Sequence, residues 1–333
     1  MIDIFELPEG PQDPDDDARL GRALVRAWRA SGAFQVTMNA ADEQVATRAS
    51  ASGWRFFAQS DKAKVRCVSD ATYAGYAAPG EHVTGDQADQ AEIFTVCQDI
   101  APDDPRARER WPGHGPVPWP DAEFRRSTLA LMDLLGTLGD RLLRLIALGL
   151  GLDDPDAFAR LTWGGWDDMR LMRLPRRPAG TRGIGPCTDH GLLTIMLHDT
   201  VGGLRVHPPA EGARGSRTRP SGELAAGVFA VLPGDVLEFA TGDVVTATTY
   251  EVVLDARERF AIAYTHAPNF QTCVRPLSGG ADDDDCLHYG SRFTHTYMRR
   301  YPHRAATKRI LQEDRLTVLE KLRREATMAG SRW

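Results

Sequence analysis

Apolar residues Leu20, Ala23, Leu24, Ala27 and Trp28 recur three and four positions apart behind an acidic start, which predicts a helix over residues 16–30. Ser31-Gly32 stops it, and residues 33–37 read as a short strand. A second amphipathic helix is predicted over 41–57. Between 65 and 120 the periodicity breaks into pieces rich in Gly, Pro, Asp and Tyr, which suggests a functional loop region. The longest helical pattern runs from 121 to 150, stopped by Gly149 and Gly151. From Trp166 onward the period shortens. Strand-like runs at 169–174, 192–197, 203–206, 228–232, 236–239, 244–253 and 260–264 alternate with Gly/Pro turns. A last helix is predicted over 307–328.

A helical half followed by closely spaced strands predicts an α+β protein whose core is a sandwich or jelly roll with helices packed outside. The division expected is 1–165 as a helical and loop part, 166–300 as the β core and 301–333 as a C-terminal helix, in one compact unit. The run of aspartates at 282–285 lacks the spacing of a calcium loop and reads as solvated.

Composition narrows the partners. The chain has 333 residues, 42% hydrophobic and 26% charged, with a formal net charge of -6. Its arginines are interspersed with acids, so neither a nucleic-acid partner nor a membrane is expected. The five cysteines (67, 97, 187, 273 and 286) are odd in number and show no CxxC spacing. They read as free thiols of a reducing compartment, and with no basic leader this makes a cytoplasmic location the expectation.

The candidate chemistry centres on residues 182–193, a Gly/Pro-rich turn that runs into an apolar segment. On an extended chain Cys187 and Asp189 share one face, a thiol and a carboxylate at the mouth of a strand. Residues 250–259 are expected to complete the site.

Several segments together carry a resemblance: Leu20-Gly21-Arg22-Ala23-Leu24, Ala91-Glu92-Ile93-Phe94-Thr95, His114-Gly115-Pro116, Arg182-Gly183-Ile184-Gly185, Pro233-Gly234-Asp235 and Arg257-Glu258-Arg259-Phe260. On these the chain resembles the 2-oxoglutarate- and iron-dependent oxygenases of the isopenicillin-N-synthase-like type, with the bacterial ethylene-forming enzymes as the nearest branch. The resemblance implies a double-stranded β-helix, a cupin-like jelly roll with N-terminal and flanking helices. It also implies Fe(II) held by two histidines and one carboxylate, with 2-oxoglutarate as cosubstrate. By position Asp189 matches the carboxylate ligand and Arg259 the arginine that pairs with oxoglutarate. Arg170 matches a second pocket arginine, Arg299 one that touches an amino-acid-like substrate, and Thr84 a residue of the substrate loop.

The metal histidines do not match, because Cys187 and Tyr250 stand in their places. His190 replaces a tyrosine beside Asp189, His82 replaces the acid that receives a substrate guanidinium, and the loop between 209 and 228 is shorter than the family's. A metal held by Asp189, Cys187 and Tyr250 would face three negative charges once the thiol and phenol ionised, which disfavours Fe(II) beside a dianionic cosubstrate. The leading expectation is therefore a metal-independent enzyme acting on a small carboxylate or amino-acid-like molecule. Cys187, Asp189, His190 and Tyr250 would be its acid/base groups, Arg259 and Arg170 its anion anchors, and His82, Thr84 and Arg299 its substrate contacts. An oxygenase with an altered iron site and an inactive binding protein are the alternatives.

Overall fold

Alternating burial along the strand Thr249–Val253, with Tyr250 and Val252 inside and their neighbours half-exposed, is the local signature of a two-layer β core. The computed structural model describes residues 2–10, 12–208, 224–225, 227–277 and 286–330. The expectations for the 209–228 loop and the 282–285 aspartates thus fall largely or wholly outside the described residues.

Among the described residues eight strands form the major sheet in the order Ile4–Phe5, Phe34–Thr37, Val228–Pro233, Leu193–His198, Arg259–His266, Asp168–Leu174, Glu92–Val96, Gly75–Ala77. Apart from the parallel pair at the Ile4–Phe5 edge, every pairing in it is antiparallel. The minor sheet is Leu204–His207, Thr249–Val253, Arg182–Cys187. Met172, Met196 and Ala261 of the major sheet meet Ile184, Tyr250 and Val252 of the minor one around a shared cavity, so the inner faces pack on each other. This is the jelly-roll core that the strand spacing predicts.

The outer face of the major sheet is closed by the helices Ala40–Phe57 and Ala122–Leu150. The second is started by Asp121, whose side chain accepts from the Phe124 amide, and is stopped by Gly151 at φ 75°. Pro14–Ser31 crosses it at Gly21 and Gly149, where a Cβ on either residue would collide with the other helix's backbone.

Several expectations change. Residues 236–239 belong to the short helix Asp235–Ala240, since a four-residue apolar run carries no period of its own. The predicted strand 244–253 narrows to Thr249–Val253. The Gly/Pro-rich 182–187 segment is an edge strand, where Pro186 is tolerated. The C-terminal helix is broken in two, Ala305–Gln312 and Arg315–Gly330, with Asp314 at φ 52° between them. A further helix, Tyr289–Arg300, lies where the sequence pattern predicts none. Four strands of the major sheet precede residue 166, so the first part of the chain is not merely helix and loop.

Cysteine usage also differs from the expectation. Cys273 and Cys286 form a disulfide, with Cα atoms 5.5 Å apart. The antiparallel pair Cys273–Val274 and Leu287–His288 brings them together, a contact invisible in cysteine spacing alone. Cys67, Cys97 and Cys187 are free. Among the described residues no helix is long and apolar enough to cross a membrane.

Candidate functional site

Strand alternation sends Asp168, Arg170, Met172 and Leu174 to one face of their strand and Thr194, Met196 and His198 to the same side of the next but one. Asp189 follows the edge strand Arg182–Cys187 and is 2% exposed. Its Oδ1 accepts from Arg170 at 2.9 Å and from Arg300 at 3.4 Å. Its Oδ2 accepts from Thr194 Oγ1 and from the Tyr250 hydroxyl, each at 2.9 Å. Four donors therefore occupy one carboxylate. Burial would raise its pKa, but the Arg170 and Arg300 guanidiniums outweigh that and hold it well below the usual carboxylate range.

Cys187 and Tyr250 are direct partners across the minor sheet, so their side chains share a face beside Asp189. Burial, then the Asp189 charge, pushes the partly exposed Cys187 thiol up to about 11. Burial and the same carboxylate push the Tyr250 phenol well above its ordinary value. Both hold their protons at neutral pH. Among the described residues, no group of three or more His, Cys, Asp or Glu is arranged to hold a metal ion.

Two expected members of the cluster lie elsewhere. His190 lies in a bend beyond the edge strand and turns away from Asp189, its Nε2 3.0 Å from Asp168 Oδ1. Tyr297 donates to the other oxygen of Asp168 at 2.8 Å, and the His190 ring packs among Tyr289, Phe293 and Tyr297. Arg299 is exposed and donates to Thr296 at 3.3 Å. Its neighbour Arg300 is the one delivered to the site. In the helix Tyr289–Arg300 the buried positions Tyr289, Phe293, Tyr297 and Arg300 follow a helical stripe, and Arg299 is off it. That spacing is a signal the sequence carried. Thr194 and Asp89 are the other contributors that sequence reasoning missed.

His82, Thr84 and Asp89 come from a hairpin formed by Val83–Thr84 and Gln87–Ala88. His82 Nδ1 is 2.6 Å from Asp89 Oδ2, which also accepts from Thr84 Oγ1 at 2.7 Å. Asp89 Oδ1 takes the Gly185 amide at 3.2 Å and pairs with Arg182 at 3.0 Å. Arg182 in turn ties the hairpin to the minor sheet by donating to the Thr84 and Ala88 carbonyls. His82 is 2% exposed, its ring lies edge-on to Tyr301, and Nε2 has no hydrogen bond among the described residues. Burial lowers its pKa, and the Arg300 and Arg170 charges act in the same direction against the pull of Asp89.

Arg259 lies at the other end of the core. Its Nη1 donates to the Val253 carbonyl at 2.9 Å, Asp199 is 3.8 Å from its Nε, and it is 1% exposed. Arg259 and Tyr250 line the same cavity, walled by Met172, Met196 and Val252 and only about 20 Å³ in volume, room for one water. The Tyr250 ring thus lines this cavity with the guanidinium while its hydroxyl donates to Asp189.

Comparison with known proteins bears on these groups. The family model described as non-haem dioxygenase in morphine synthesis, N-terminal, matches residues 1–122. The chain is 45% identical over 345 residues to a 2-oxoglutarate-dependent ethylene/succinate-forming enzyme of Ralstonia nicotianae, covering 97% of this chain and all of that one. It is 26% identical to a homoarginine-6-hydroxylase of Arabidopsis thaliana, over 83% of this chain and 86% of the relative. Among solved structures, a full-length Neurospora crassa protein in complex with alpha-KG aligns with a TM-score of 0.72 at 21% identity, covering 90% and 96% of the two chains. A putative 2OG-Fe(II) oxygenase family protein of Caulobacter crescentus aligns with a TM-score of 0.74 at 19% identity, over 90% and 99%. At these identities the structural likeness speaks to the fold.

Proposed function

The chain belongs to the 2-oxoglutarate-dependent oxygenase family, and from that premise we propose that its pocket works without iron, binding a small carboxylate and leaving proton transfer as its chemistry. The observation that carries this reading is the occupancy of Asp189. In an iron site that carboxylate offers a lone pair to a dication. Here two guanidiniums supply the positive charge, and Thr194 and Tyr250 take the remaining lone pairs. Fe(II) bound there would displace hydrogen bonds, strip protons from a thiol and a phenol that hold them tightly, and sit against two cations. The residues present do not fit ferrous iron.

The same geometry revises the roles within the proposal. A general acid or base works best with a pKa near the operating pH. Asp189 lies far below that range and Cys187 and Tyr250 far above it, so they hold and orient. Arg170 and Arg300 are the anchors for a ligand carboxylate, a task suited to planar guanidinium donors. A longer dicarboxylate would reach Arg259 only by opening the narrow cavity at Tyr250.

The test is titration of metal-free protein with 2-oxoglutarate in the presence of a chelator, read by calorimetry. Binding is expected without metal, and Arg300→Ala is expected to weaken it by about 30-fold or more, the effect of truncating one buried charged partner. Binding that requires Fe(II) would sink the reading. The 45% identity to an ethylene/succinate-forming enzyme favours a second reading, an oxygenase with an altered iron site. Oxygen-dependent formation of succinate by the iron-loaded protein would establish it.

A further inference from the structure

Buried polar atoms in folded proteins nearly always have partners, and those without one call for a reason. Among the described residues three such atoms belong to groups that share this site's charges: Arg170 Nε and Arg300 Nη1, whose guanidiniums pair with Asp189, and His82 Nε2, whose ring feels both. Their residues are 3%, 9% and 2% exposed. Among the described residues Arg170 and Arg300 share the single carboxylate of Asp189, and Asp168 acts on Arg170 only from beyond ion-pair distance, so one guanidinium is left without a paired anion of its own. Asp89 is not that anion, since it is engaged by Arg182, the Gly185 amide, Thr84 and His82. An ionised Asp89 accepts from Nδ1–H of His82, which leaves Nε2 as a bare lone pair. A carboxylate orienting an imidazole in this way fixes the tautomer and stabilises the imidazolium once formed.

We infer that Arg170, Arg300 and His82 form one proton-coupled anion site, in which a small carboxylate takes the free guanidinium N–H groups while His82 Nε2 takes a proton from solvent. The inference rests on the iron-free reading above. The coupling follows from charge. The groups that face His82 are Asp89 and Thr84 from its own hairpin, Tyr301 and Arg300 from the end of the Tyr289–Arg300 helix, and Arg170 from the major sheet, with Arg182 acting through Asp89. Without ligand the two guanidiniums oppose protonation of the buried imidazole. A bound anion cancels their field, and the proton then enters between the ligand and Asp89. By linkage, each must favour the other. Proton balance is simple: one proton leaves water or buffer, one N–H bond forms at Nε2, and release of the anion returns it. A ligand with an acidic C–H or O–H next to its carboxylate could hand that proton directly to the same nitrogen.

The test uses 2-oxoglutarate, ionised throughout the window from about pH 6 to pH 8, with intact protein in chelator. Calorimetry in two buffers of contrasting ionisation enthalpy counts protons taken up per ligand without any substitution. Net uptake is expected, with affinity falling as pH rises and approaching about tenfold per pH unit where one proton is fully coupled. His82→Gln, checked for an unchanged melting temperature, is expected to bind more weakly and with no pH slope. Asp89→Asn tests the orienting role and is expected to reduce the uptake. Binding by the wild type with no proton uptake would overturn the coupling and leave the iron-free reading standing, as would a full slope in His82→Gln. Absence of binding until Fe(II) is added would overturn both.

Discussion

Asp189→Asn should lower the unfolding free energy by about 3–5 kcal/mol, the cost of leaving buried charge unpaired. The substitution keeps shape and two polar atoms, so a cavity is not the cause. What it removes is the carboxylate with which, among the described residues, both Arg170 and Arg300 pair. An additional Arg300→Met change, which removes one of the stranded cations and keeps an apolar stem, should recover part of the loss. Chemical denaturation of the single and double variants gives the coupling between the two positions. The pH dependence has a definite sign. The folded-state pKa of Asp189 lies below its unfolded value, so its contribution is complete above about pH 4 and is lost as pH falls toward the folded-state value. The Asn variant should lose that part of the acid sensitivity, and equal acid stability in both proteins would show that Asp189 is not neutralised as described.

The second large effect is on metal affinity. Cys187 and Tyr250 face each other across the minor sheet beside Asp189, so histidines there would place two neutral imidazoles and one carboxylate together. Cys187→His with Tyr250→His should nevertheless bind Mn(II) poorly. Arg170 and Arg300 remain against Asp189, and repulsion between a unit charge and a dication at such range is worth several kcal/mol even at an effective dielectric near 20. Adding Arg300→Met should raise affinity on the order of 100-fold or more, read by magnetic resonance titration of Mn(II). If the double variant bound as tightly as the triple one, Arg300 would not be what excludes the ion.

The legible parts of the fold were those with a period. The stripe from Leu20 to Trp28 and the capped run after Asp121 became the helices Pro14–Ser31 and Ala122–Leu150. Glu92–Val96 was hidden because it is buried on both faces between two neighbours of the major sheet, and a strand buried on both sides shows no alternation. The site was half legible. The Cys187, Asp189 and Tyr250 grouping followed from extended-chain geometry and the family resemblance. Arg300 needed the helix Tyr289–Arg300 to be seen first, because one residue of helical phase separates a buried guanidinium from the exposed Arg299. His190 faces away from the cluster from a bend between two strands, a turn of the chain that adjacency to Asp189 obscures. The His82–Asp89 pair lay in a stretch without periodicity, where only tertiary structure brings the two residues together.

The central claim is that guanidinium charge, and not a metal ion, balances Asp189. The most direct measurement is equilibrium titration of chelator-treated protein with Fe(II) under anaerobic conditions, with and without 2-oxoglutarate, followed by metal analysis. The account predicts no stoichiometric uptake in either case. One tightly held ferrous ion per chain, lost on Asp189→Asn, would contradict it.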